Sequence, residues 1–471
     1  MSVLIKNTIY YSIGEIIPRI ISFLLLPILT TYLTTAEYGI NTYTTTVMSF
    51  TFVIGALSLN TFILRFYYAT KDEIERKKII WSVFIFICIF NVFLSLFQLL
   101  FFPIIINYLN INIPFNPYFS ISIINNFFDI IALIPLVLYR VKEDARGFLI
   151  LSLSRTLLQF ILVYIFVVLL GKGLEGSYYA RLLVNVPFMF LYYYLIKRDT
   201  IKMMDYGILK KAIKFSLPLL PGSLAYLFVL LSDRIVLERY VSLDELGIYS
   251  VAATLALVLN IVIQALYKTL EPVLFREYHG DNFDETNLKF YKLYLCLLII
   301  AAFGTACLSK EFFLIATSTA FLSAYKIVPF LLISVVLSGI NTYLNILMIT
   351  LNKQKLVSII SIISGVLSVT LNLILIPILG FYGAIIASSI SFLLVNIVCH
   401  YNVIIKSRYF FSQFVLLILI VVIPYYYDIV ITSTNLFLNI TIKSLMILIF
   451  GITTFLIFGI NLRSFKISLL R

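Results

Sequence analysis

The sequence predicts an all-α integral membrane protein with about fourteen transmembrane helices. Of its 471 residues, 62% are hydrophobic and only 12% are charged, roughly half the charged fraction of an ordinary soluble domain. Apolar runs of about 20 residues, the length that crosses a bilayer, recur along the whole chain between short polar breaks. The strict apolar and polar alternation of a membrane barrel is absent. Since a backbone surrounded by lipid must satisfy its own hydrogen bonds, the runs are predicted to be helices.

The predicted helices follow one another with short polar connections. Their approximate cores are residues 9–33, 40–64, 79–106, 118–139, 148–170, 177–196, 213–236, 247–270, 291–308, 326–351, 356–379, 382–405, 413–427 and 436–460. The thirteenth is interrupted by Pro424 and Asp428. The first run is too long for a signal peptide and lacks a cleavage site, so it is predicted to be a retained span.

Positive charge is distributed unequally between the predicted loops. With the N-terminus in the cytoplasm, the inner loops hold basic clusters at residues 71–78, 140–146 and 197–214. The outer loops hold only Lys172, Arg239, Lys310 and Lys326. This positive-inside pattern predicts that both termini are cytoplasmic. The net charge of +13 is then an orientation signal, and no nucleic-acid partner is expected.

Seven cations lie within the predicted helices rather than in loops. They are Arg19, Arg65, Arg155, Arg181, Arg234, Lys268 and Lys443. A charge facing lipid at mid-depth would cost roughly 2.5 to 3.5 kcal/mol, so most of these side chains should face the interior of the bundle. Arg65, Lys268 and Lys443 are near helix ends and could instead extend to the membrane surface.

The acids within the helices are fewer, and the surplus of positive charge suits an anionic ligand. The predicted substrate-binding residues are Arg19, Arg155, Arg181, Arg234 and Lys268. The candidates for binding a coupling proton or sodium ion are Glu15, Asp129 and Asp233. Each of these acids could equally be the structural partner of a nearby arginine.

The individual arginines have competing structural interpretations. Arg19 is about 15 Å into the first helix at 1.5 Å per residue, and Glu15 one turn earlier could neutralise it. Arg155 and Arg181 each have an amide side chain one turn further on, so packing between helices competes with ligand binding. Arg234 follows an aspartate near an outer helix end, where an interfacial pair would serve structure alone.

The chain repeats itself at a nearly constant offset. YLTTAEYGI at residues 32–40 returns as YVSLDELGI at 240–248, and LGKGLEGSYYA at 170–180 returns as LGFYGAIIA at 379–387. These positions predict a six-helix repeat, with lobes at residues 1–205 and 206–408 and two further helices at 409–471. Because six is even, both lobes enter the membrane from the same side. They would face one another across a cleft, with rocking between them as the expected motion.

The repeated turn has a structural explanation of its own. A threonine or serine stands three residues before Glu37 and Glu245, which is the spacing of a capping box at the start of a helix. Gly39 and Gly247 follow and allow close packing. Paired interruptions in corresponding helices are a pointer to a transport site. Such kinks are predicted at Pro18 and Pro27 in the first helix and at Pro218 and Pro221 in the seventh.

No motif supports an enzyme. GKGLEG at residues 171–176 fits G-x-G-x-x-G but joins two predicted spans without a preceding strand, so it is predicted to be a helix turn. The sequence contains no HExxH motif or P-loop, and its only histidines are His279 and His400. Four cysteines are scattered singly in apolar runs, which indicates small core residues rather than a metal or disulfide site. We therefore expect neither catalysis nor a cofactor nor a metal.

The chain resembles the polysaccharide-transporter branch of the MATE and MOP flippase superfamily. The resemblance rests on the six plus six plus two arrangement, the E-x-G turn after the first and seventh helices, the basic loop between the lobes, and NLILIPILGFYGAIIASSIS at residues 372–391. Within that branch it is similar to O-antigen and capsule repeat-unit flippases of the Wzx type. The site residues above rest on the burial argument and not on these motifs.

The resemblance implies translocation of an undecaprenyl-pyrophosphate-linked oligosaccharide by alternating access. The substrate would move from the cytoplasmic to the periplasmic leaflet of a bacterial inner membrane, and other polysaccharide assembly proteins are implied as partners. Three alternatives remain. They are a multidrug or cation antiporter of the same superfamily, a flippase for a lipid-linked peptidoglycan precursor, and a membrane-embedded polysaccharide polymerase or ligase.

Overall fold

The structure is a computed structural model that describes residues 3–278, 283–403, 408–430 and 436–459. Within these ranges the ordered elements are helices, and thirteen helical stretches are long and apolar enough to cross a membrane. The predicted all-α membrane fold is therefore confirmed. The predicted thirteenth span corresponds to the helix Arg408–Val430, in which Leu416–Asp428 is a shorter apolar segment. Residues 460–471, which end the segment 409–471 predicted to hold the last two helices, lie outside the described residues.

The chain divides into two units, Met1–Gly247 and Ile248–Arg471. The helices of the first are α1 (Val3–Tyr32), α2 (Thr35–Ala56), α3 (Leu59–Ala69), α4 (Glu73–Leu109), α5 (Ser120–Ile131), α6 (Leu133–Val141), α7 (Ala145–Tyr164), α8 (Gly173–Asp199), α9 (Tyr206–Ser216) and α10 (Leu220–Tyr240). Helix α11 (Leu243–Leu257) begins in this unit and continues into the second. The lobe boundaries after residues 205 and 408 stay predictions.

The described helices of the second unit correspond to the predicted spans, except that the span predicted at residues 247–270 is divided between α11 and the next helix at Val258. They are α12 (Leu259–Glu277), α13 (Phe283–Ala316), α14 (Val328–Thr350), α15 (Gln354–Leu379), α16 (Phe381–Asn402), α17 (Arg408–Val430) and α18 (Leu436–Phe458). The turn between α15 and α16 contains Gly380, whose φ of 57° favours glycine. The predicted helix turn at LGFYG is therefore confirmed, as is its counterpart between α7 and α8, where Gly171 and Gly173 also have positive φ.

The second predicted helix is broken where the sequence gives little sign of it. The span predicted at residues 40–64 ends at Ala56 and resumes at Leu59, because Leu57 and Ser58 adopt left-handed backbone conformations with φ of 48° and 53°. Neither residue is glycine or proline, so pattern analysis misses this break. Helix α1 continues through Pro18 and Pro27. In contrast, Pro218 lies within a short 3₁₀ turn, Leu217–Leu219, that separates α9 from α10, and Pro221 lies in the first turn of α10. The predicted interruption of the seventh helix at these prolines is therefore present.

The two repeated turns form the predicted capping boxes and lie against each other. The Thr34 hydroxyl accepts the Glu37 N–H, and the Glu37 carboxylate accepts the Thr34 N–H at 2.9 Å. Ser242 and Glu245 make the equivalent pair of bonds. A methyl group on Gly39 would overlap the Leu243 carbonyl, and one on Gly247 would overlap the Thr35 carbonyl. The predicted close packing at these glycines is thereby confirmed.

Candidate functional site

A polar cavity of about 650 Å³ lies within the first unit. Its walls come from α1, α2, α5, α6, α7, α8 and α10. The polar and charged side chains that line it are Ser22, Thr45, Ser49, Ser122, Asn126, Asp129, Arg155, Gln159 and Arg181. Hydroxyls, amides and guanidinium groups in an otherwise apolar bundle need a polar occupant or water. The cavity is therefore the candidate binding site.

One carboxylate in the cavity is shared by two arginines. Asp129 on α5 accepts a hydrogen bond from Nη2 of Arg155 on α7 through one oxygen. Its other oxygen accepts from Nη2 of Arg181 on α8 at 2.9 Å. The side chains of Arg155, Arg181 and Asp129 are 21%, 33% and 21% exposed. The three groups are thus partly open to the cavity and still held together.

Amide side chains fix the position of Arg155. Its Nη2 donates to Asn185 Oδ1 at 2.7 Å, and Asn185 in turn donates to Asn125 Oδ1 at 3.1 Å. Asn125 donates to the Tyr178 carbonyl at 3.1 Å, which links α5 to α8. Both asparagines are buried. Buried amides that are satisfied by one another restrict the rotamers around them, so Arg155 is pre-positioned.

The charged groups lining this cavity sum to one net positive charge. Asp129 neutralises only one of Arg155 and Arg181, and no other ionised side chain is among the described lining residues. A guanidinium carries five N–H donors, and the contacts described above use only the Nη2 atoms. The Arg155 Nε is buried without a hydrogen-bond partner. Unused donors with surplus charge are the arrangement that binds a phosphate or carboxylate group.

Helix α5 brings this polar face into the site by its periodicity. Ser122, Asn125, Asn126 and Asp129 recur at spacings of three and four in an otherwise apolar helix, which places them on one side. All four are buried or half-buried. The same spacing in the sequence could have identified Ser122, Asn125 and Asn126 before the structure. Of these four residues, only Asp129 was predicted as a site residue.

Arg19 and Glu15 are placed differently from their predicted pairing. Glu15 accepts from Arg140 Nη2 of α6 at 2.9 Å, so the self-neutralising pair with Arg19 is replaced by a contact between helices. Arg19 is exposed, and the described ion pairs do not include it. Ser22, one turn further along the same face of α1, lines the cavity. Arg19 is therefore next to the site along α1 without lining it.

The remaining predicted residues are not brought into the cavity lining. Arg234 on α10 is buried and donates to Asp233 at 3.1 Å and to the Leu230 carbonyl at 3.2 Å. Lys268 lies on α12 in the second unit and is exposed. The expected extension of Lys443 to the membrane surface is wrong, because this lysine is 1% exposed and pairs with Glu311 and Asp428 at 2.8 Å each.

The helical architecture defines the class as a multi-pass membrane protein with the fold of transporters and flippases. It is similar to the solved structure of a lipid II flippase MurJ in its inward closed conformation, with a TM-score of 0.72, 18% identity, and coverage of 98% of this chain and 100% of that one. It is also similar to an inward-facing multidrug resistance MATE family transporter of the MOP superfamily, with a TM-score of 0.64, 15% identity, and coverage of 84% and 98%.

Sequence comparison identifies the family. Residues 4–277 match the polysaccharide biosynthesis protein family, and because this is more than half of the chain, the protein belongs to that family. A protein of the Lsg locus of Haemophilus influenzae is 24% identical over 309 residues, which are 62% of this chain and 71% of that protein. The predicted resemblance to a polysaccharide family is confirmed by this match, and the predicted fold is confirmed by the similarity to the solved MurJ and MATE structures.

Proposed function

We propose that the protein is a flippase for an undecaprenyl-pyrophosphate-linked oligosaccharide, such as an O-antigen or capsule repeat unit. The observation that carries this proposal is the cavity in which Arg155 and Arg181 share a single carboxylate. The pyrophosphate would be held by the guanidinium donors of Arg155 and Arg181 that face the cavity and are not used by Asp129 or Asn185. The hydroxyl and amide side chains of the walls would hydrogen-bond to the sugars.

Desolvation explains why the headgroup needs such a site. A pyrophosphate that left water without compensation would pay a large electrostatic cost. Charge-assisted hydrogen bonds from two pre-positioned guanidinium groups offset that cost while the lipid tail remains in the bilayer. Arg19 is exposed and one turn from the cavity, so we assign it to the approach of the anion. We include neither Arg234 nor Lys268 in the binding site.

We propose alternating access as the mechanism. The headgroup enters from the cytoplasmic side, is released on the periplasmic side of a bacterial inner membrane, and both termini are cytoplasmic. The unequal distribution of Lys and Arg between the loops supports this orientation. Glu15, Asp129 and Asp233 each pair with an arginine, which supports structural roles for them over ion coupling.

A flippase for a lipid-linked peptidoglycan precursor is the second candidate. The full-length similarity to a lipid II flippase favours it, and an anionic headgroup would suit the same two arginines. A drug-cation antiporter is less well supported, because a cation would meet one surplus positive charge in this cavity. The two leading candidates therefore differ in the glycan that the lipid-linked substrate carries.

Surface glycan display tests the proposal. A host that lacks its own repeat-unit flippase would receive the wild-type chain, an Arg181→Gln variant, or an Arg65→Gln variant as a matched control. Arg65 is an exposed arginine that stacks over Phe215 at 5.2 Å and does not line the cavity. We expect display from the wild type and the control only. Growth of a host depleted of its lipid II flippase, without any glycan display, would instead support the peptidoglycan candidate.

A further inference from the structure

Helix α9 carries a basic face that does not line the candidate binding cavity. Its sequence, YGILKKAIKFS, contains three lysines and no acid. Lys210, Lys211 and Lys214 are exposed, and spacings of three and four residues place Lys214 beside the other two on the helix surface. Like charges at these spacings repel one another. An anion that binds this face would therefore stabilise the helix.

The opposite face of α9 fixes the helix against the rest of the first unit. Ile208 and Ala212 are buried in a hydrophobic core that also contains residues of α3 and α4. The Asp205 carboxylate caps the helix by accepting the N–H groups of Gly207 and Ile208. Ser82 of α4 accepts the Asp205 N–H at 3.0 Å. The lysines thus project from a helix that is held in place on its other side.

Other basic residues of the predicted inner loops are paired with acids. Lys77 Nζ lies 2.6 Å from a carboxylate oxygen of Glu73, and Lys142 Nζ lies 2.9 Å from one of Asp199. No ion pair among the described residues includes the three lysines of α9. Their charges are therefore available to an anion from outside the chain.

The position of α9 before α10 places the lysines at a membrane surface. Helix α10 has 21 residues and is about 30 Å long at 1.5 Å per residue, which is the thickness of a bilayer core. Helix α9 precedes it and so lies at the depth of the lipid headgroups. Leu217, three residues after Lys214, is 52% exposed, and Leu219 is 40% exposed. Exposed apolar side chains thus follow the lysines in the direction of the bilayer core.

We propose that the basic face of α9, formed by Lys210, Lys211 and Lys214, is a docking site for anionic phospholipid. The ammonium groups bind the headgroup phosphate, and the exposed leucines that follow contact the acyl chains. Lysines and leucines in this order match a molecule with a charged headgroup and an apolar tail, which a soluble anion lacks. In the predicted orientation the site faces the cytoplasmic leaflet. The inference does not depend on which substrate is transported.

Quenching of tryptophan fluorescence by brominated lipids identifies the lipid that contacts this surface. The full chain would carry Trp81→Phe, which removes its only tryptophan, and Leu217→Trp as the reporter. It would be reconstituted in mixtures of phosphatidylcholine and phosphatidylglycerol in which one of the two lipids has brominated acyl chains. We expect several-fold preferential binding of phosphatidylglycerol at the reporter. Equal binding of the two lipids at low salt would overturn the proposal.

Salt tests whether charge causes the preference. At about 1 M salt the Debye length falls to about 3 Å, so the preference for phosphatidylglycerol should largely disappear. A preference that persists at this salt concentration would contradict docking through the lysines. A reporter at Leu100→Trp, toward the other end of α4 and 68% exposed, should show no preference at low salt. The same preference at Leu100→Trp would show that the lipid selection is not local to α9 and would overturn the assignment.

Two lysine variants make the test specific. The α9 variant carries Lys210→Gln, Lys211→Gln and Lys214→Gln and should bind the two lipids about equally. The control variant removes the same charge from exposed lysines elsewhere, with Lys71→Gln, Lys289→Gln and Lys355→Gln. It should keep the preference for phosphatidylglycerol. Loss of the preference in both variants would indicate an effect of net charge and would overturn the assignment to α9.

Competition separates a phospholipid from a soluble anion as the occupant. Soluble pyrophosphate, compared with sodium chloride at the same ionic strength, should leave the preference for phosphatidylglycerol unchanged. Loss of the preference with pyrophosphate alone would assign this face to a free anion and overturn the proposal. If the α9 variant fails to insert into the membrane, the salt dependence with native lysines and the preference of the single variant Lys210→Gln, expected to be intermediate, decide the proposal.

Discussion

Arg155 and Arg181 donate to opposite oxygens of the same carboxylate, that of Asp129. They come from different helices, α7 and α8, and Asp129 comes from a third, α5. An isolated salt bridge would leave no charge to offer a ligand. Two arginines on one acid leave a positive charge and several unused N–H donors at a cavity wall. This stoichiometry, rather than the presence of buried arginines, is what supports anion binding.

Removal of the more exposed arginine should weaken anion binding. Arg181→Gln deletes a charge-assisted hydrogen bond to the ligand, each worth about 1.5 to 3 kcal/mol, so affinity for soluble pyrophosphate should fall by about tenfold or more. Arg181→Lys keeps the charge but loses the planar geometry and should show a smaller loss. Isothermal titration calorimetry of detergent-solubilised protein would measure the affinity of each variant for pyrophosphate. Equal affinity in Arg181→Gln and in the Arg65→Gln control would contradict the assignment.

Neutralisation of Asp129 should have the opposite effect on pyrophosphate binding, which it should strengthen. In Asp129→Asn the two guanidinium groups lose their shared counter-ion, so the free protein is destabilised and an added anion replaces the carboxylate. We expect a lower unfolding temperature without ligand and a larger increase on adding pyrophosphate than in the wild type. Saturation at about 100 times the dissociation constant adds about 2.7 kcal/mol. Thermal unfolding with and without pyrophosphate measures both effects, and an unchanged pyrophosphate response would contradict the model of the site.

The sequence predicts which arginines are embedded but not which of them share an acid. Arg155 and Asp129 are 26 residues apart, and Arg181 and Asp129 are 52 apart; only the packing of α5, α7 and α8 brings them together. Intrahelical spacing suggested Glu15 for Arg19, and the structure gives Glu15 to Arg140 instead. Contacts one turn apart are visible in a sequence because the helix fixes them. Contacts between helices depend on rotation and crossing, which the sequence does not show.

Repeats allowed one part of the fold to be predicted in detail. The match between residues 32–40 and 240–248 predicted two capping boxes and two glycines at close contacts, and all are present. The break at Leu57 and Ser58 was missed because neither residue type is specific for left-handed backbone.

The glycine contact gives a prediction about closure. Gly39→Ala should place its methyl group against the Leu243 carbonyl, and overpacking of this kind typically costs about 1 to 3 kcal/mol. The ratio of closed to open protein, measured by crosslinking of Thr35→Cys with Asp244→Cys, should fall by about fivefold or more. Gly222→Ala in α10 is the matched control, since nothing lies within 4 Å of an added methyl group there. A closed fraction as high in Gly39→Ala as in this control would show that the turns need not touch.

The buried lysine of the second unit should be critical for stability because of its partners. Lys443 Nζ is 2.8 Å from both Glu311 and Asp428, and the three side chains are 1%, 4% and 8% exposed. Lys443→Met leaves two acids near one another without this cation, and breaking a buried pair typically costs about 3 to 5 kcal/mol. The triple variant Lys443→Met, Glu311→Gln, Asp428→Asn removes all three charges and should recover much of the lost stability. Thermal unfolding in detergent distinguishes these cases. If the triple variant were no more stable than Lys443→Met, packing of the lysine side chain rather than its charge would hold α18 against α13.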